Sequence, residues 1–229
     1  MDQPTRTIPP GRSLRIVGDV HGDAKAFAHA AATGHFLVQL GDLIDDGPDS
    51  PGVLRQMFGL IDQGNGLFIL GNHDYKLGRA LAGSTVRHTD ALDTTLAGLD
   101  EALAARALAE IKRAPSWLRW RDCLFVHGGF QTEMLTTDSP AGIPRQGGPA
   151  SRALYGLPTG RTQPDGYPER SLAWIDRIPP GLTVYCGHDR RSTDGRPWVR
   201  RNALGGTAIF MDTGAGKGGH LSWVDLPAG

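Results

Sequence analysis

Four short apolar runs in this chain end at a glycine followed by a side chain able to bind a metal, and a fifth leads straight into a histidine. Residues 14–17, LRIV, run into Gly18-Asp19, residues 35–40, HFLVQL, into Gly41-Asp42, and residues 67–70, LFIL, into Gly71-Asn72. Residues 124–126, LFV, are followed by His127, and residues 182–185, LTVY, reach Gly187-His188 after one cysteine. Short runs this apolar read as strands buried on both faces. In sheet-containing α/β folds, ligands collect beyond the carboxyl ends of the strands. The sequence is therefore expected to deliver its polar side chains to one rim.

The intervening segments fit that reading. Residues 23–32 form an Ala-rich helix with Asp23 near its start, and Ser50-Pro51 opens another that runs to Asp62. Residues 75–112 carry Leu and Ala at helical spacing. Residues 131–170 are rich in Pro, Gly, Arg and Thr and form a long connection, a feature associated with function, disorder or partial structure. A short helix is expected over 171–176, and a β-hairpin over 207–212 and 220–226. Residues 1–13 read as a flexible leader, and residues 14–229 as one domain. The 229 residues include 32 Gly and 16 Pro, short of a low-complexity composition, and the length supports one substantial core.

Composition narrows the function classes. With 24 Lys+Arg against 24 Asp+Glu the chain has no broad electrostatic footprint for nucleic acid. Cys123 and Cys186 are too few for a disulfide framework or a multi-cysteine metal site. No stretch approaches 18 apolar residues and the first residues lack an apolar signal core, so a cytoplasmic protein is expected. His29, His35, His88 and His220 read as ordinary packed or surface residues.

The remaining polar set is chemically specific. Asp19, His21, Asp42, Asn72, His127 and His188 offer carboxylate, imidazole and amide donors, a mixture that suits Mn²⁺, Fe²⁺/³⁺ or Zn²⁺ better than Ca²⁺ or Mg²⁺. Six ligands exceed what one metal with an open position needs. Two metals about 3.5–4 Å apart, bridged by one carboxylate, are the natural arrangement.

The series GDVHG (18–22), GDLIDDG (41–47), GNHD (71–74), VHGG (126–129) and CGH (186–188) resembles the calcineurin-like metallophosphoesterases, and most of all their phosphoprotein-phosphatase branch. GPDSPGVLR (47–55), SRALYG (151–156), DGYPERSLAW (165–174) and MDTGAGKGG (211–219) resemble the phosphatase module of bacterial polynucleotide kinase-phosphatase. The kinase module's phosphate-binding G-x-x-x-x-G-K-[ST] loop is absent from this sequence. The resemblance implies an α/β fold, a β-sandwich of two mixed sheets flanked by helices. It implies that Asp19 and His21 hold a first metal, Asp42 bridges, and Asn72, His127 and His188 complete a second site. His73 becomes the general acid, oriented by Asp45. The implied cofactor is a pair of divalent ions, Mn²⁺ first, with Ni²⁺, Fe²⁺/³⁺ and Zn²⁺ as alternatives. The implied reaction is hydrolysis of phosphomonoesters by a metal-bound hydroxide, extending to phosphodiesters and to nucleotides. Symmetrical hydrolysis of dinucleoside tetraphosphates, protein dephosphorylation, and a non-catalytic metal-binding scaffold stand as alternatives.

The sequence departs from the family pattern at Asp46, where the family carries an arginine that clamps phosphate oxygens. An acid cannot make that charge-assisted fork and repels a dianion. Arg79, Arg152, Arg190 and Arg191 are the candidate replacements, unless the substrate is a less charged ester. Residues 214–219 formally contain G-x-G-x-x-G, but only ten residues follow, too few for the helix and strand of a dinucleotide site. Lys217 in that loop can still add charge near the rim.

Overall fold

The computed structural model describes residues 7–140, 143–144, 147–163, 166–192 and 194–228. The first six residues of the expected leader and six positions of the long 131–170 connection lie outside them.

Local signals set the first half of the chain. Strand β1 (Leu14–Val17) leads into helix α1 (Ala24–Ala31), whose cap is Asp23, its side chain accepting from the Ala26 N–H. Strand β2 (Phe36–Gln39) is followed by α2 (Ser50–Asp62), capped by Asp49 with proline in its first turn. Strand β3 (Gly66–Phe68) leads into α3 (Asn72–Leu81). The helical stretch beyond breaks into α3, α4 (Asp90–Ala97) and α5 (Glu101–Arg113), with Gly83 and Gly98 near the interruptions. Then come β4 (Trp117–Trp120), β5 (Cys123–Val126), α6 (Gly148–Tyr155), β6 (Pro158–Thr162), β7 (Pro168–Arg170), β8 (Thr183–Cys186), β9 (Trp198–Arg201), β10 (Thr207–Phe210) and β11 (Trp223–Leu226).

These strands build two mixed sheets, ordered β11-β1-β2-β3 and β4-β5-β8-β10-β9, with β6-β7 as a separate pair. β1, β2 and β3 run parallel, as do β5, β8 and β10. Period-two alternation sorts the side chains into layers. Leu14, Ile16, Phe36, Val38 and Leu40 of the first sheet meet Phe125, Tyr185 and Met211 of the second in one buried cluster. Val17, Leu37 and Phe68 point the other way, against Phe27, Met57, Leu77 and Ala107 of the helices. On the far side of the second sheet, Leu124, Val184 and Phe210 pack against Trp174, Ile175 and Ala153. The result is the expected sandwich of two sheets with helices outside. No helix among the described residues is long and apolar enough to cross a membrane.

Two local expectations need correction. Residues 207–212 and 220–226 do not form a hairpin. β10 pairs with β8 and β9, whereas β11 crosses to the other sheet and runs antiparallel to β1. The 12 residues between β10 and β11 span the two sheets, where Gly18 N–H donates to Ser222 and the Ser222 hydroxyl donates to Met211. The short helix expected at 171–176 is a single tight turn at Ile175–Arg177. Ser171 before it instead continues the backbone pairing of the preceding strands, its N–H bonded to the Leu157 carbonyl. Within the 131–170 connection the structure places a one-turn helix at Thr132–Leu135, helix α6 and the β6-β7 pair.

Candidate metal centre

All six nominated ligands lie just beyond the carboxyl ends of β1, β2, β3, β5 and β8. The ends of β1 and β2 are tied together by Gln39, buried in β2, whose amide donates to the Gly18 and Gly41 carbonyls and accepts from the Gly41 N–H. Two glycines permit the close approach of neighbouring loops. A Cβ on Gly187 would collide with the Asp19 carboxylate, and one on Gly71 with Asp42. Among the described residues six non-glycine positions have left-handed backbone, and five of them are His21, Asp42, Asp45, Asp46 and His188. Such conformations are held only where the surroundings enforce them, and they concentrate at functional sites.

The imidazoles are oriented through their rear nitrogens. His21 Nδ1 lies 3.2 Å from the Ile44 carbonyl and His127 Nδ1 lies 2.8 Å from that of Leu40. A carbonyl can only accept, so each Nδ1 carries a proton and Nε2 is the ring nitrogen turned toward the cluster. His21 Nε2 then sits 3.9 Å from Asp19 and 3.7 Å from Asp42. His127 Nε2 sits 3.4 Å from Asp42 and 2.9 Å from Asn72 Oδ1. Ligand atoms of Asp19, His21 and Asp42 form one tight group, and those of Asp42, His127 and His188 form another, each within 4.8 Å. Asp42 belongs to both.

Electrostatics and unmet bonds point the same way. Asp19 Oδ1 and His188 Nε2 are buried with no hydrogen-bond partner, a state that costs free energy unless another group takes the lone pairs. Burial, aided by the charge of Asp212, pushes Asp19 well above the usual carboxylate range. Burial also raises Asp42, but the imidazoles of His127, His73 and His21 overcome it and hold Asp42 well below that range. Burial lowers His188 strongly, with help from His127, and leaves it neutral, as a ligand must be. The donors present fit divalent cations.

Beside this cluster, His73 Nδ1 lies 2.6 Å from Asp45 Oδ2. Burial would lower His73, but the charge of Asp42 and the hydrogen bond to Asp45 push it up to about 9. Asp45 is itself fixed by Thr95, whose hydroxyl donates to Oδ1 at 2.7 Å, and by Ser50, whose oxygen accepts from the Asp45 N–H. Asp74, one turn into α3, accepts from the backbone N–H groups of Asp42, Leu43 and Gly71 and so fixes two of the ligand loops.

The four candidate arginines are placed differently. Arg79 donates to Thr85 and stacks on Tyr75, within its own helix and the turn after it. Arg191 is held by Asp189 at 2.7 and 2.9 Å. Arg190 lays its guanidinium against the backbone of Gly214. Arg152 lines a cavity of about 390 Å³ with Tyr155 and Arg170. Two other cations bear on the cluster: Arg170, which the sequence did not nominate, and Lys217, expected only to add charge near the rim. Arg170 bears electrostatically on His188 and Asp42. Lys217 places Nζ 3.0 Å from His21 Nε2 and 3.1 Å from Asp46 Oδ2. Its position in a Gly-rich loop was the only sequence signal. Asp212, buried beside Asp19, was also missed, although it ends β10 as Asp19 ends β1.

Carboxylates and imidazoles gathered at the strand ends of a two-sheet sandwich define a metallohydrolase. The calcineurin-like phosphoesterase family model matches residues 13–153, and the chain belongs to that family. It is a metallophosphoesterase. A protein of Bacillus subtilis strain 168, the asymmetrical bis(5'-nucleosyl)-tetraphosphatase PrpE, is 31% identical over 85% of this chain and 77% of its own length. A symmetrical bis(5'-nucleosyl)-tetraphosphatase of Ralstonia nicotianae is 27% identical over 96% and 75%. In fold, the chain resembles a protein serine/threonine phosphatase from Saccharomyces cerevisiae, with a TM-score of 0.61 at 15% identity, covering 96% of this chain and 81% of the other.

Proposed function

We propose that this enzyme uses two divalent metal ions to hydrolyse phosphomonoesters, those of nucleotides in particular. The observation that carries the reading is Asp42, shared between two groups of buried ligand atoms, with the His73–Asp45 pair beside it. Asp19, His21 and Asp42 hold one ion, and Asp42, Asn72, His127 and His188 the other. The mixed nitrogen and oxygen donors favour Mn²⁺, with Ni²⁺, Fe²⁺/³⁺ and Zn²⁺ as alternatives. Such a pair, when bound, activates water and neutralises phosphoryl charge.

The protein's own groups supply the rest. His73, whose side chain is a quarter exposed and whose Nε2 lies 3.9 Å from Asp42 Oδ2 at the edge of the cluster, donates a proton from Nε2 to the leaving oxygen. Asp45 accepts from Nδ1–H, which fixes the ring and favours its protonated form. The buried scaffold of Asp74 and Gln39 holds the ligands in place without rearrangement.

A second reading, hydrolysis of dinucleoside tetraphosphates, is supported by the names of the two bacterial relatives. One assay separates the readings. Metal-stripped protein is reloaded with Mn²⁺, Ni²⁺, Zn²⁺ or Mg²⁺ and offered p-nitrophenyl phosphate, bis-p-nitrophenyl phosphate and diadenosine tetraphosphate. Turnover of the monoester, abolished by His73→Ala, supports the phosphatase reading. Turnover of the tetraphosphate alone replaces it with the second. Products of one and three phosphates mark asymmetrical cleavage, and two diphosphates mark symmetrical cleavage. Full metal occupancy with no turnover of any substrate overturns both and leaves a metal-binding scaffold.

A further inference from the structure

Resting on the phosphatase reading, we propose that Lys217 binds the phosphoryl oxygens of the substrate and that Asp46 tethers it for that task. The cation that the family pattern carries at position 46 is thus supplied from the loop between β10 and β11.

The geometry is specific. Asp46 Oδ2 lies 3.1 Å from Lys217 Nζ, so the acid that replaces the family arginine is paired and does not face the substrate as a bare charge. The two side chains are about one-third exposed, whereas that of His21 is 2% exposed. The pair therefore lies at the mouth of the cluster and not beneath it.

The loop also fixes where Lys217 can be. Gly216, at φ +70°, is pressed so closely on His21 that an added Cβ would collide with the His21 backbone. Gly214 N–H is bound by Asp212, and the Lys217 and Gly219 N–H groups return to the Gly214 carbonyl. The lysine is thus projected from a closed turn seated on a proposed metal ligand.

A lone-pair count then separates two states of the side chain. His21 Nδ1 donates to Ile44, so Nε2 has one lone pair, and Lys217 Nζ lies 3.0 Å from it. A metal ion and an ammonium N–H cannot both take that pair. When a metal takes it, Lys217 keeps Asp46 and has donors released at the edge of the centre, where a phosphoryl group arrives. The alternative is that Lys217 stays on His21 and stands in for the first metal. The competing arginines are less well placed, since Arg79 and Arg191 are bonded elsewhere. An ammonium is a point charge and lacks the planar fork of arginine, so it tolerates a wider range of phosphate orientations.

The test uses the Mn²⁺-loaded protein, with elemental analysis for metal content and calorimetry for inorganic phosphate. Lys217→Met is expected to weaken phosphate binding about 10- to 100-fold, the loss of one charge-assisted contact, with two metals per chain retained. Lys217→Arg is expected to stay within a few-fold of wild type, which separates loss of charge from loss of fold. Asp46→Arg combined with Lys217→Met is expected to restore phosphate affinity by returning the cation to position 46. Unchanged affinity in Lys217→Met overturns the proposal. So does a gain from one metal to two in that variant, because Lys217 would then be the stand-in. Lysine-dependent phosphate binding in a protein that never turns over p-nitrophenyl phosphate would leave the clamp standing and sink the phosphatase reading.

Discussion

Asp45 sets one carboxylate oxygen 2.6 Å from His73 Nδ1 and gives its other oxygen to the Thr95 hydroxyl at 2.7 Å. A ring held this way has its protonated form stabilised and its outer nitrogen aimed. The donor form of His73 holds through neutral pH and is lost as pH rises through about 9. Asp45→Asn removes a group that raises His73, so the alkaline limb of kcat/KM is expected to move to lower pH. His73→Ala is expected to lower kcat about 10²- to 10⁴-fold with metal content unchanged. A pH profile of the two variants checks both.

Asp42 shared between two ligand groups makes metal loss concerted. Asp42→Asn is expected to empty both positions, whereas Asn72→Ala lowers occupancy of one, as elemental analysis would read. Chelation is expected to lower the melting temperature, because ions bound only to the folded state stabilise it by about 2.7 kcal/mol at a hundred times their dissociation constant. A melt that chelator leaves unmoved would count against a resident metal pair.

Asp74 accepts three backbone N–H groups from two loops. Asp74→Asn retains one acceptor oxygen and turns an amide against the remaining donor, leaving a buried N–H unpaired. The expected cost is about 1–3 kcal/mol, or roughly 2–4 °C in melting temperature for each kcal/mol in a chain of this size. Thermal denaturation checks it.

Both thiols are buried. Burial, with Asp122 adding to it, pushes Cys123 up to about 12, and burial pushes Cys186 well above its ordinary value. Thiolate is the reactive form. A thiol reagent at pH 8 is expected to label neither cysteine in the native protein within minutes and both in guanidinium.

The cluster of candidate ligands was legible because each member stands within four residues of a strand end, where local sequence and chemistry coincide. Asp23 at the start of α1 and Pro51 in the first turn of α2 belong to the same short-range grammar. What failed was longer in reach. β10 and β11 each show ordinary strand character, and nothing local says that they join different sheets. Trp117–Trp120 and Trp198–Arg201 mix arginine with apolar residues, and it is pairing with a neighbouring strand that makes strands of them. Thr95 meets Asp45 across 50 residues and Lys217 meets His21 across 196. Arg170 joins the electrostatics of His188 from a short exposed pair of strands. Contacts of that separation are decided by tertiary packing, and a nomination of arginines by nearness in sequence to His188 could not find them.

The pairing of Leu14 with Leu226 and Val17 with Trp223 has a consequence for how the protein is made. During synthesis β1 emerges from the ribosome well before the loop bearing Lys217 and its own partner β11. Until those residues are made, the first sheet lacks one edge and the cluster one wall. Asp19, His21 and Asp42 all precede in the chain the lysine that we assign to phosphate. The order of synthesis thus sets the residues proposed for the metal ahead of the one proposed for the substrate.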